Sequence, residues 1–126
     1  MASASETLHE DPARLKPETI ERHRAIVSLQ EELEAADWYD QRVDATQDEE
    51  LRAILAHHRD EEKEHASMLL EWLRRHDSVW DRHLRDYLFS EGSITGREEA
   101  LESGGNHALS DEGSLRIGSL RQGGKA

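Results

Sequence analysis

The sequence predicts an all-α fold: a two-helix antiparallel hairpin followed by a short C-terminal helix. Three observations predict it. Residues 18–91 contain neither Gly nor Pro, because Pro12 and Pro17 precede them and all eight glycines lie at or after Gly92. Long uninterrupted helices require such a stretch. Its apolar residues recur at helical spacing, and strand-type alternation is absent. Aromatic residues are few, at 5% of the 126 residues.

Each element has its own signals. Residues 1–15 are polar and read as a flexible N-terminus. The first helix begins near Pro17, with Glu18 and Glu21 in its first turn, where the helix dipole favours acids. It runs to about Val43. Thr46 and Glu49 have capping-box spacing and start the second helix. The connection is then only a few residues, so the two helices are antiparallel neighbours. The second helix runs to about Arg75, where Arg74, Arg75 and His76 suit a C-terminal end. Ser78 can cap a third helix, with Trp80, Leu84, Tyr87 and Leu88 on one face. From Gly92 the composition turns to Gly, Ser, Glu and Asp, so residues 92–113 read as a flexible linker. Residues 16–91 form the folded domain, and residues 114–126 form a tail with Leu115, Ile117 and Leu120.

The two long helices are each about 40 Å at 1.5 Å per residue. Two such helices cannot bury both apolar stripes against each other. The third helix is too short to cover the remainder. Pairing two copies gives four long helices and a closed core, so the sequence predicts a homodimer.

Charge limits the partners. The net charge is −12, and the segment after Glu91 carries five acids against four bases, so nearly all of the excess lies on the folded domain. Such a surface repels nucleic acid and attracts cations, although solubility alone is an equal reason for it. There is no cysteine, hence no disulfide framework and no thiolate site. No apolar run approaches the ~18 residues of a membrane span, and no signal peptide opens the chain. The expected location is cytoplasmic.

The chemistry concentrates in Glu62-Lys63-Glu64-His65. Residues three apart share a helix face, so Glu62 and His65 can grip one metal ion. On the first helix, Ala25, Ile26, Leu29, Leu33, Ala36 and Val43 form a stripe, and Glu32 falls inside it. On the second, Leu51, Ile54, Leu55, Leu69, Trp72 and Leu73 form the stripe, with Glu62 inside and His58 and His65 along one side. A carboxylate in an apolar stripe is costly unless it is paired or bound to metal. Arg22 and Arg59 lie near stripe edges, so an ion pair stays open as the explanation. Two copies would bring two Glu and two Glu-x-x-His together, a match to the known ligand set of di-iron carboxylate bundles. Carboxylates with one imidazole per metal suit Fe or Mn better than structural zinc.

Other residues are open to two readings. His58 could orient a ligand or simply pack. Tyr39 could cap the site with its hydroxyl or pack. His57, His76 and His83 show no partner pattern. Glu31 and Glu34 share a second face with Trp38, either as a solvated acidic face or as a transient metal site. An exposed Trp beside Val27 suggests a protein contact.

Several segments resemble the encapsulated ferritins. They are Arg22-His23-Arg24-Ala25-Ile26-Val27, Glu31-Glu32-Leu33-Glu34, Asp37-Trp38-Tyr39-Asp40, Asp60-Glu61-Glu62-Lys63-Glu64-His65, Glu71-Trp72-Leu73-Arg74-Arg75 and Tyr87-Leu88-Phe89. The resemblance implies half of a ferritin-like four-helix bundle, completed by dimerisation, with the dimers assembled into a ring-shaped decamer. It implies a ferroxidase with a di-iron centre between subunits. Glu32, Glu62 and His65 then hold iron. Glu31, Glu34 and Trp38 mark where metal is first taken up, and Tyr39 lies near the centre. Ser114-Leu115-Arg116-Ile117-Gly118-Ser119-Leu120-Arg121 is similar to the peptide that docks cargo inside encapsulin shells. Leu115, Ile117 and Leu120 can fill shallow pockets, and Gly118 lets the backbone approach. Arg116 stands where small residues are common in that peptide. Two other functions remain open on sequence alone: a metal-delivery protein without redox turnover, and a structural helical dimer.

Overall fold

A computed structural model describes residues 8–104, and all its extended regular elements are helical. The described residues divide between two compact units, Met1–His76 and Asp77–Ala126. No helix among them is long and apolar enough to cross a membrane.

The first unit is the hairpin. A short 3-10 turn, Pro12–Arg14, precedes it, capped by Asp11, whose carboxylate accepts from the Ala13 N–H at 3.0 Å. The N-terminal segment is therefore structured over these residues, where the sequence suggested a flexible stretch. Helix α1 spans Pro17–Ala45. Pro17 occupies the first helical position, where its missing N–H costs nothing. Helix α2 spans Glu49–Arg75. Its N-cap is Asp48, whose Oδ1 accepts from the Leu51 N–H at 2.9 Å. The expected Thr46–Glu49 capping box does not form. Thr46 instead ends α1, donating its N–H to the Arg42 carbonyl at 3.0 Å. An aspartate caps as well as a threonine and adds charge at the positive end of α2, a gain of about 1 kcal/mol.

The three-residue connection makes α1 and α2 antiparallel. Cross-helix contacts run in one register: Val43 with Arg52, Asp40 with Arg59, Tyr39 with His58 and Glu32 with His65. Arg52 clasps the turn. It donates to the carbonyls of Val43 and Thr46 and to the Glu49 carboxylate, which ties the end of α1 to the start of α2. Within the described chain Ala25, Ala66 and Leu73 are the buried apolar residues. Leu33, Trp38, Leu51, Ile54 and Met68 of the hairpin are all more than two-fifths exposed. The stripes are thus left partly uncovered within one copy.

The second unit begins with α3, Ser78–Tyr87. Asp77 is its N-cap, accepting from Val79 and Trp80 N–H groups at 3.0 and 3.2 Å, in the place expected for Ser78. Buried Asp81 accepts from Arg85 Nε at 2.9 Å. After α3, Phe89 has φ 63°, an unfavourable left-handed conformation for a bulky residue, and its side chain is fully exposed. Helix α4 then spans Ile94–Gly104. This corrects the expected linker at its N-terminal half. Ser93 Oγ accepts from the Gly96 N–H at 2.9 Å and starts the helix. Good helix formers from Arg97 to Glu102 continue it, a local run hidden by the Gly-rich average. Arg97 Nε donates to the Asp86 carbonyl at 2.9 Å and ties α4 to α3. Leu115, Ile117, Gly118 and Leu120 lie outside the described residues.

Near the end of α2, Arg74 donates to both oxygens of Glu71 at 2.8 Å, and Arg75 Nε donates to Oε2 at 2.6 Å. The two guanidinium groups hold the Glu71 carboxyl down to about 2 from its ordinary 4.5. A lowered folded-state value stabilises above the unfolded value, and the gain disappears as pH falls through the folded one. Replacing Glu71 by Gln should therefore lower the melting temperature by about 1–3 °C at pH 7, a surface-pair effect. Calorimetric scans should show the gap closing between pH 4.5 and pH 2.

Candidate metal centre

The antiparallel register brings Glu32 of α1 opposite Glu62 and His65 of α2. His65 Nδ1 lies 3.3 Å from Glu62 Oε1 and 3.6 Å from Glu32 Oε1. The three offer ligand atoms all within 4.8 Å of one another. Two ligands on opposite sides of one ion span about 4.4 Å, so small rotamer adjustments close the set on a metal. Both carboxylates are half-buried, with side chains 26% and 23% exposed. With His65 also 44% exposed, the hairpin does not enclose the three side chains.

The protons report how crowded the acids are. Glu32 titrates above its ordinary value, chiefly because its proton is shared with Glu62 in a hydrogen bond. Burial and the Glu62 charge add to that, while the nearby His65 opposes it. Glu62 is lowered, first by accepting from Glu32, against burial, and then by His65 and by the charge of His58. Partial burial disfavours a charged His65, but the hydrogen bond to Glu62 and the charges of Glu32, Glu62 and Glu61 outweigh it and raise its value. The two carboxylates thus oppose each other's ionisation, and a divalent ion bound between them would relieve that conflict. Two carboxylates and an imidazole are a hard, mixed O/N set suited to Fe or Mn.

Tyr39 does not join the trio. Its ring meets His58 edge to face, centroids 5.4 Å apart, and the Arg42 guanidinium lies 5.3 Å from its centroid. Glu31, Glu34 and Trp38 are all exposed on α1 and also stay outside the trio. Arg59, the possible ion-pair partner in the stripe, binds Asp40 at 3.0 Å and Asp60 at 3.1 Å. Two histidines without an expected partner have one. His57 Nε2 lies 3.5 Å from Glu61 Oε2, and Glu61 Oε1 lies 4.0 Å from His65 Nε2. His76 stacks on Trp72 with centroids 3.8 Å apart. Both pairs are four residues apart, a spacing that was visible in the sequence.

Residues 7–91 match the EncFtn-like family. This chain belongs to the EncFtn-like family. It is 60% identical to an encapsulated ferritin-like protein of Rhodospirillum rubrum, over 96% of this chain and 92% of that one. A ferritin-like protein of Thermotoga maritima is 48% identical over 86% of this chain and 96% of its own length. The encapsulin nanocompartment cargo protein EncC of Myxococcus xanthus is 32% identical over 76% and 81%. A crystal structure of a Nitrosomonas europaea protein, 60% identical, superposes with a TM-score of 0.67, covering 69% of this chain and 96% of that one. The all-helical hairpin is the fold of this EncFtn-like chain.

Replacing Glu32 by Gln keeps the hydrogen bond to Glu62 and removes one charge. In metal-free protein this variant should melt a few degrees above the unmodified chain at pH 8. Adding Co²⁺ should raise the melting temperature of the unmodified protein and leave the variant nearly unmoved, as differential scanning fluorimetry would show.

Proposed function

We propose that this EncFtn-like chain is a ferroxidase, oxidising Fe²⁺ with O₂ at a di-iron site between two copies. The observation that supports it most is the convergence of Glu32, Glu62 and His65, none of them fully covered, in a hairpin whose apolar stripes are partly bare. A second hairpin placed by a twofold axis covers those stripes and supplies a second trio. Four carboxylates would then balance two Fe²⁺, with Glu32, Glu62 and His65 of each copy holding the ions as substrate. The two Fe²⁺ give one electron each to O₂, which takes up two protons to form H₂O₂. Two Fe³⁺ leave.

Tyr39, Glu31, Glu34 and Trp38 take the roles that the resemblance implies. Tyr39 lies near the centre. The exposed acids and Trp38 form the path by which metal arrives, at contacts between dimers in a ring. An open ring has no mineral cavity, so iron would be stored inside an encapsulin shell. The relatives named as encapsulated or as encapsulin cargo support that partner and a cytoplasmic nanocompartment as the location. The tail carrying Leu115, Ile117, Gly118 and Leu120 is the docking peptide in this reading.

Two experiments test it. Alanine at Glu32, Glu62 or His65 should each remove most Fe²⁺-dependent O₂ consumption, about tenfold or more, measured with an oxygen electrode. Unchanged rates in all three would defeat the ferroxidase reading, and a single stoichiometric burst without turnover would mark a metal-delivery protein. Removing residues 114–126 should leave oxidation in solution intact and abolish co-purification with co-expressed shell protein.

A further inference from the structure

Arg59 is a cation beside an acidic metal centre that it does not enter. It precedes Glu62 by three residues, and on a helix such neighbours lie about 5–6 Å apart at Cβ, within easy reach of a guanidinium. An arginine is always charged and its fork fits a carboxylate in two-pronged fashion. Turned toward Glu62, it would occupy the oxygens that a metal needs. Its side chain points elsewhere: Nη1 donates to Asp40 Oδ1 at 3.0 Å and Nε to Asp60 Oδ1 at 3.1 Å. Lys63, the other cation next to Glu62, has its Nζ 4.0 Å from the same Asp60 oxygen. Glu62 is left to His65 and Glu32.

We infer that Asp40 and Asp60 are positioning residues that hold Arg59 away from Glu62 and so keep the centre open to divalent metal. The inference rests on the trio being a metal site. Both aspartates are 63% exposed at their side chains, so their removal opens no core cavity. Asp40–Arg59 also joins α1 to α2, and a staple makes a different prediction from a positioning pair. The two differ in what happens when Arg59 is removed as well. A staple lost stays lost, whereas a competing cation removed no longer competes.

The experiment measures Co²⁺ affinity of the full chain by calorimetry, with the Co²⁺ absorption spectrum as a second readout. The double variant D40A/D60A should bind Co²⁺ about tenfold more weakly. The triple variant D40A/R59Q/D60A should return to within about twofold of the unmodified protein. R59Q alone should bind at least as tightly as the unmodified chain. Unchanged affinity in the double variant, a loss that persists in the triple, or weakened binding in R59Q would each overturn the inference. These results are separable from failure of the site itself. If E62A bound Co²⁺ as the unmodified chain does, the trio would not be the metal site and the inference would fall with it. If E62A lost binding while D40A/D60A kept it, the aspartate role alone would fall.

Discussion

Two carboxylates from different helices are forced to share one space, and the rest of the structure follows from that constraint. Glu32 and Glu62 face each other because α1 and α2 run antiparallel in a fixed register. Each opposes the other's ionisation there, and together their charges raise His65. Glu32 and Glu62 thereby spend stability on a site, in a chain whose apolar residues are poorly covered. Both features make sense if the hairpin is a component and not a finished domain.

The register that creates the constraint is built from ordinary parts. Asp48 starts α2, Thr46 stops α1, and Arg52 joins the two ends through three acceptors. Further along, Asp40–Arg59 and Tyr39–His58 maintain the same pairing. None of these residues belongs to the trio. Each reduces the freedom of α1 to slide along α2, and a slide of one turn would carry Glu32 about 5.4 Å from its partners.

Much of this was legible in the sequence because helices obey simple periodicity. The limits of α1 and α2, the inward position of Glu32, and the Glu62–His65 pair all follow from spacing. The caps did not, since Thr46, Asp48, Asp77 and Ser78 are all good capping residues and only the backbone decides among them. Helix α4 was hidden because Gly and Ser on both sides of Arg97–Glu102 dominate the average over the region. The partner of Arg59 was also undecidable from spacing. Glu62 on its own helix and Asp40 across the hairpin were both within reach, and the choice depends on the cross-helix register.

The three-residue connection has a kinetic consequence. Contacts between α1 and α2 nearest the turn join residues close in the chain, so the hairpin can zip from that end without a search for distant segments. Glu32, Glu62 and His65 are therefore brought together within a single molecule, at a speed independent of how many copies are present. Under the proposed pairing of two hairpins, the later step would be a collision whose frequency rises with concentration, so a freshly made chain in dilute conditions would wait on encounter and not on folding.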